Sequence, residues 1–450
     1  MTNEITRELE YEKISRLLLH YAMPAVIGTM VNALYNIVDR MFIGHGVGAL
    51  AISGLTLTFP ILLFLQAFGM LVGTGAATRV SIFLGRKEHA MAENILGNAL
   101  TLTFLITIIT VVPSMLFLDD MLIWFGGSEN TIPYAKEYLY IIIPTTLLTS
   151  LSFGFNAVMR ASGYPRKAMI TMLIGAVLNV ILDPIFIFVF DMGIEGAAYA
   201  TVISMAASTV FVMHHFFSKE SLIRFRRKYL KLDKQIVWAI LTIGVSPFAM
   251  QLAGSLVNVV MNHSLQTYGG DLALGANGII SSVGMLLVML IVGIAQGMQP
   301  IVGFNHGAGH HHRVMETLRL VIITSTGIMG AGWLCCLFFP EVIVRGFTSN
   351  PELIAIAANG LKLNLSMFVV VGSQIAISQF FQSIGIAWKA IFLSLTRQFL
   401  YLIPVILFLP SIMGLDGVWY SGPISDGLAA VTAWAFLWKY VKEVEYMPMK

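Results

Sequence analysis

The sequence is short of charge. Only 11% of its 450 residues are Asp, Glu, Lys or Arg, while 57% are hydrophobic. Soluble domains carry about a quarter charged residues, so a water-facing surface over the whole chain is excluded. Cysteine is nearly absent: Cys335 and Cys336 are adjacent in an apolar run, which rules out a disulfide framework. No GxxxxGK[ST] occurs, so the chain has no phosphate-cradling loop with which to hydrolyse ATP. No HExxH or comparable nucleophile–base set appears, which argues against a membrane-embedded enzyme. GTGAAT (73–78) imitates half a dinucleotide fingerprint but lies inside an apolar run with no strand before it.

What is present is apolar sequence in runs of some twenty residues, from end to end, the signature of transmembrane helices. Bounding those runs by polar or Gly/Pro clusters predicts an all-α integral membrane protein with twelve spans. The first six fall near 22–44, 52–78, 94–118, 133–157, 168–190 and 195–217. The second six fall near 236–263, 273–303, 314–339, 353–383, 390–411 and 416–438. The mixed-charge start, TNEITRELEYEKISRLLLHYA, lacks the basic-then-apolar layout of a signal peptide and reads as a short amphipathic helix on the membrane surface.

Sorted by side, 23 of the 27 Lys and Arg fall with the termini and the connections on their side, leaving Arg40, Lys136, Arg345 and Lys362 on the other. By the positive-inside rule both termini are cytoplasmic; the expected location is the plasma (cell inner) membrane. The basic linker SKESLIRFRRKYLKLDK (218–234) is expected to anchor topology and touch anionic headgroups.

The chain repeats itself. MGIEGAAYA (192–200) returns as MGLDGVWYS (413–421), GYPRKA (163–168) returns as GIAWKA (385–390), and Pro24 has a counterpart in Pro247. The offsets are 221 (414 − 193), 222 (385 − 163) and 223 (247 − 24). Each copy holds an even number of spans, so the halves share orientation about an axis along the membrane normal. The expected organisation is an N-terminal six-helix bundle over 1–217, a linker over 218–235 and a pseudo-symmetric C-terminal bundle over 236–450, rocking about a central cleft.

Three carboxylates lie well within spans: Asp39, Asp183 and Asp426. Each costs about 2.5–3.5 kcal/mol at a helix centre, so each is a functional candidate. Asp39 lies 15 residues after Pro24 and Asp183 lies 15 after Ala168, on spans running the same way, so both are roughly 22 Å deep. Asn32, Asn36 and Asp39 make one polar stripe on span 1, and Asn179 is one turn before Asp183. Pro184 removes a backbone donor and frees a carbonyl one turn back. Thr201, about 9 Å into span 6, lies at comparable depth. Asp39, Asn179, Asp183 and Thr201 together offer hard oxygen ligands, which become a metal site if Na+ is the coupling ion. Two carboxylates in a low-dielectric cleft also hold a proton readily, because burial and mutual repulsion both disfavour the doubly ionised pair. The second half drops these charges: Asn262 stands opposite Asp39, and Ile403 opposite Asp183. Asp426 has glycines and serines nearby but no carboxylate partner.

YNIVDRMFIG closing span 1, RASGYPRK before span 5 and NVILDPIFIFVFDMGIEGAAYAT across spans 5 and 6 resemble the multidrug and toxic compound extrusion (MATE) family over nearly the whole chain. The resemblance implies a cation-coupled antiporter that expels organic cations and amphipathic drugs. It is similar to the DinF-like branch, which implies Asp39 and Asp183 as coupling carboxylates completed by Asn179 and Thr201, with Asn156 a polar cleft position. The branch with acids in the second bundle is not matched, since Asn258, Asn262 and Ser366 stand there. Asn32, Asn36, Asn156, Met172, Met205 and Met250 are the cleft candidates, methionine suiting varied apolar substrates.

Competing readings are set aside for stated reasons. A flippase of lipid-linked saccharides should have a strongly cationic cleft to hold pyrophosphate, whereas the basic residues here read as loop residues. IVDR resembles the aspartate–arginine loop of major facilitator transporters, but that motif belongs after span 2, where this chain has LGRKEHAMAEN. His306, His310, His311 and His312 in NHGAGHHHR could bind a transition metal but read as a solvated turn. The expected partners are the lipid bilayer and small amphipathic or cationic solutes. No nucleic acid, no cofactor beyond H+ or Na+ and no catalytic residue is expected, and the functional unit is a monomer.

Overall fold

The computed structural model describes residues 2–46, 49–124 and 129–445, with the side chains of 2–5, 36, 37, 40, 41, 44–46, 49–53, 56, 57, 271, 444 and 445 left aside. Among the described residues the chain is helical throughout, with no strand. A short α1 (Thr2–Tyr11) leads into α2 (Ile14–Gly46), α3 (Ala49–Gly85) and α4 (His89–Leu116), with a one-turn-plus α5 (Leu118–Trp124) after them. The fourth span is broken into α6 (Ile132–Ile142) and α7 (Thr146–Ala161), which meet at 60°. Pro144 lies in that break and has no backbone N–H to continue the ladder. Next come α8 (Pro165–Pro184), a π-helical turn at Ile185–Val189 and α9 (Gly193–Phe217).

The second half repeats this order. Its first two spans, labelled together α10 (Lys234–Gly307), are two helices, Lys234–Gly270 and Leu272–Gly307, separated by a break at Gly270 (φ 66°, ψ −162°), a conformation only glycine adopts easily. It is followed by α11 (His311–Phe338), a short α12 (Pro340–Arg345), and a broken span of α13 (Pro351–Asn364) and α14 (Phe368–Ser383) meeting at 52°. The next span runs through α15 (Ala387–Leu395), a π-helical segment at Thr396–Leu402, α16 (Ile403–Phe408) and α17 (Pro410–Met413), and α18 (Leu415–Glu445) ends the chain.

Among the described residues nine helices are long and apolar enough to cross a bilayer, and the two bent pairs raise the number to eleven. The twelfth expected span is α18, 31 residues long, which is about 46 Å. It falls short on apolarity, because Asp426 and a run of Gly, Ser and Trp occupy its middle. Asp426 is held there by an ion pair, described below.

The two halves interlock through glycine over the half of the molecule that carries the termini. A Cβ at Gly244 (α10) would lie 1.7 Å from the carbonyl oxygen of Leu71 (α3), and one at Gly75 (α3) would lie 2.1 Å from that of Ile240. Gly85 and Gly307 make the same kind of contact with Phe304 and Ile82, at 1.9 and 2.0 Å. Gly293 and Gly297 press on the backbone of α2 at Val26 and Ala22. Polar bonds cross the same seam: Arg79 Nε donates to the Ala239 carbonyl (3.3 Å) and Gln299 to the Thr78 hydroxyl (2.9 Å). On the opposite half, a Cβ at Gly254 or Gly278 of α10 would meet nothing within 4 Å. The molecule is therefore closed at the terminal face.

Several expectations need correction. The N-terminal segment does not simply lie on a membrane surface. Leu9, Leu17 and Tyr21 are buried, and the carbonyls of Leu9 and Glu12 accept hydrogen bonds from Arg313 Nη2 at 3.2 and 2.7 Å. Asn305 adds a bond to Leu9 O (3.2 Å), and Lys87 pairs with Glu10 (3.6 Å). This short helix thus spans from the second half to the α3–α4 connection. The basic linker is docked as well. Arg226 pairs with Glu93 (3.2 Å), Thr101 donates to the Leu230 carbonyl (2.7 Å) and Asn98 accepts from the Asp233 N–H (2.7 Å), all against α4. Lys167 at 3.0 Å holds the Glu220 carboxyl below its usual range, first through its hydrogen bond and then through its charge. Finally, Arg160 and Arg397, which the sequence suggested were loop residues, lie inside helices.

Candidate functional site

Asp39 on α2 and Asp183 on α8 come together in the first half, both buried, Asp183 completely. Their carboxyls are within hydrogen-bonding reach of each other, a contact that requires a proton or another cation to relieve the repulsion. The equal depth that residue counting gave is what allows it, because the helical rise is constant along both spans. Asn179, one turn below Asp183, donates from Nδ2 to Asp183 Oδ1 (3.3 Å) and to Thr201 Oγ1 on α9 (3.3 Å). Asp183 Oδ2 and Asn179 Oδ1 are buried without a hydrogen-bond partner among the described residues. A buried acceptor left this way costs about 1–3 kcal/mol, so the site is built to receive a donor or a cation. The four residues singled out from the sequence are thus one cluster. An all-oxygen set of two carboxylates, an amide carbonyl and a hydroxyl fits a proton or Na+ rather than a soft metal.

One member was missed. Tyr138, on α6, is buried beside this cluster, its hydroxyl bonded to Thr201 and its ring in the field of Asp39, Asp183 and Tyr35. Nothing in its local sequence marks it, since IPYAKEYLYII reads as an ordinary interfacial helix with three tyrosines.

Two to three turns below Asp183 along α8 lies a small cavity, lined by Asn32 and Tyr35 from α2, Ser152, Phe153 and Asn156 from α7, Thr171, Met172, Gly175 and Ala176 from α8, and Met205 and Ser208 from α9. Asn32, Asn156, Met172 and Met205 of the expected cleft set line it. Met250 does not: it lies on α10, in the other half, and is largely exposed. Asn36 falls outside the described side chains. Tyr35 connects cavity and carboxylates, being one turn from Asp39 on the same helix. Asn156 has a structural duty as well. Its amide donates to the Ala168 carbonyl (2.6 Å) and accepts from the buried Arg160 (3.3 Å), which joins α7 to the start of α8 beneath the cavity.

Elsewhere, Asp426 has a partner that the sequence did not reveal: Arg397 Nε donates to its Oδ1 at 2.6 Å. Among the described residues no group of three or more His, Cys, Asp or Glu is placed to hold a metal, so the histidines of 306–312 do not form such a centre. His312 is exposed beside Glu316, and His306 packs on the ring of His311.

Comparison with known proteins agrees with this architecture. The MatE family model matches the chain twice, over residues 24–185 and 247–407, which are the two copies of the repeat. Multidrug export protein MepA of Staphylococcus haemolyticus (strain JCSC1435) is 29% identical over 433 residues, covering 96% of this chain and 95% of that one. MepA of Staphylococcus aureus (strain NCTC 8325 / PS 47) is 27% identical over 434 residues, with the same coverage of both chains. Among solved structures, an outward-facing conformation of a multidrug resistance MATE family transporter superposes with a TM-score of 0.92 at 22% identity, covering 98% of each chain. A MATE structure in a bent conformation superposes with a TM-score of 0.91, also at 22% identity, over 97% of each. With two copies of the family model spanning most of its length, this chain belongs to the MatE family of multidrug and toxic compound extrusion transporters.

Proposed function

We propose that this chain is a secondary active antiporter of the DinF-like kind, exporting organic cations and amphipathic drugs in exchange for H+ or Na+. The observation that carries the reading is the buried contact of Asp39 with Asp183, backed by Asn179 and Thr201 and set directly above a cavity. Two carboxyls in contact inside a membrane are stable together only when a cation is shared between them. Binding that cation draws α2 and α8 together, and losing it drives them apart. Because Tyr35 and Asn32 lie on the same helix as Asp39, such a movement changes the cavity wall. The cavity offers Met172, Met205, Phe153 and Tyr35 to an apolar solute and a few amides and hydroxyls to its polar groups.

In this reading the protein lies in a cell inner membrane, and the basic bias of the terminal face supports a cytoplasmic position for that face. The glycine seam then closes the cytoplasmic side, and this conformation faces outward. The transport unit is a monomer of two bundles, 1–217 and 236–450, joined by the linker at 218–235, with no cofactor beyond the coupling ion.

The test is dye efflux from proteoliposomes under an imposed pH or Na+ gradient, comparing the native chain with Asp183→Asn. Gradient-driven efflux that the substitution abolishes supports the reading, and the effective gradient names the ion. Equal efflux by both variants removes the first-half carboxylates as the coupling device.

A further inference from the structure

The second half carries a buried ion pair that the coupling site does not use. Arg397 lies ten residues into its span from Ala387, and Asp426 lies eleven residues into α18 from the other face. At 1.5 Å per residue these depths are about 15 and 17 Å, so the pair is near the midplane, where charge is most costly to keep. Asp426 is 3% exposed and the Arg397 side chain 30%. The bond between them uses Nε, so the two terminal nitrogens of the guanidinium are not needed for it.

The internal repeat says where this pair is. Counting from the shared start of spans 5 and 11, Arg397 stands at the position of Gly175 (175 + 222) and Ser394 at that of Met172. From the shared start of spans 6 and 12, Asp426 stands at the position of Met205 (205 + 221). The two broken spans align by their breaks, Ile142–Thr146 against Asn364–Phe368, which sets Ser378 at the position of Asn156. Gly175, Met172, Met205 and Asn156 all line the first-half cavity. Their counterparts are two ions and two serines, and the serines are bonded: Ser394 bridges Ser378 (3.3 Å) and Ser246 on α10 (3.0 Å). The backbone opens at the same point, since Arg397 lies in the π-helical segment Thr396–Leu402, a form of helix concentrated at functional positions.

We propose that Arg397 is a second-half binding group for the carboxylate of an amphipathic solute, with Asp426 as the residue that positions its guanidinium. A guanidinium held on one edge by a buried carboxylate keeps its orientation and can offer its other edge to a second carboxylate as a planar fork. The first-half cavity has no cation at the matching place, so the two halves would select different ends of a zwitterion. This rests on the drug-export reading, and the test separates the two.

The probes are rhodamine B, which has a free carboxylate, and its ethyl ester, which has the same dye core without one. Binding to the purified full-length protein is followed by fluorescence polarisation, and efflux of the ester from proteoliposomes is followed in parallel. Arg397→Gln strands a buried carboxylate, so the double variant Arg397→Gln/Asp426→Asn, which removes both charges, is the principal one. The expected result is a loss of at least about tenfold in affinity for rhodamine B with less than a twofold change for the ester. Asp426→Asn alone should weaken rhodamine B by an intermediate factor, because the cation remains and only its orientation is lost. Equal changes for both dyes, or no change for either, in the double variant overturn the proposal while leaving drug export standing. Failure of the native protein to bind or move either dye overturns both.

Discussion

The glycine seam at the terminal face makes a quantitative demand. In Gly244→Ala the new methyl would lie 1.7 Å from the Leu71 carbonyl oxygen, whereas ordinary contact begins at 3.4 Å. The oxygen belongs to the backbone of α3 and cannot rotate away. Relief at this point is resisted at the next, since Gly75 of α3 already presses on the Ile240 carbonyl one turn along α10. The two helices must therefore separate by about the missing distance, or accept an overpacking penalty of about 1–3 kcal/mol. Placed on one of two conformations, that penalty shifts their ratio by a factor of about five to 150 away from the closed terminal face. Spin labels at His89→Cys, at the start of α4, and His312→Cys, on α11, report on the opening. The exposed native Cys335 is changed to serine in all variants. Gly244→Ala should lengthen the label-to-label distance or broaden it toward longer values, and lower the melting temperature measured in detergent. Gly254→Ala, where a methyl meets nothing within 4 Å, should leave the distance unchanged. If the two alanine variants behave alike, the close glycine contacts are not what holds this face shut.

Other consequences follow from single contacts. Tyr138→Phe removes the hydroxyl bonded to Thr201 and leaves the ring in place, so coupling-ion affinity in a gradient-driven efflux titration should fall by about threefold to tenfold, with dye affinity unchanged. Arg313→Ala removes the bonds to the carbonyls of Leu9 and Glu12 and should cost about 1.5–3 kcal/mol, seen as a lower melting temperature and faster tryptic cleavage at Arg7 and Lys13. If cleavage stays slow, the short N-terminal helix is held by its buried Leu9 instead. Asn156→Ala breaks the join between α7 and α8 and leaves Arg160 buried without its amide partner, so lost stability in a thermal melt should accompany any lost transport. A variant of native stability and reduced transport would instead make Asn156 a solute-binding residue.

Much of this molecule was legible as a count along the chain. Span lengths, the repeat and the matched depth of Asp39 and Asp183 all follow from a rise of 1.5 Å per residue and from the lack of charge in the runs between polar boundaries. Asn179 and Thr201 were found in the same way, since both lie at the depth of Asp183 on helices that follow one another. Rotation about the helix axis and the choice of lateral neighbours are not recorded in that count. Arg397 and Asp426, 29 residues apart on different spans, looked like a loop residue and a solitary acid until α18 packed along the π-helical segment and brought them within 2.6 Å. Tyr138 joined the carboxylates only because the break at Ile143–Thr145 turns α6 back over α9. The seam that closes one face is also invisible in sequence, where its glycines are scattered among the 40 that the chain holds. The sequence by itself determined which residues share a depth, because backbone hydrogen bonding inside a bilayer leaves each span no geometry but the helix. Which of them touch was decided by the packing of one helix on the next, and only the tertiary structure holds that.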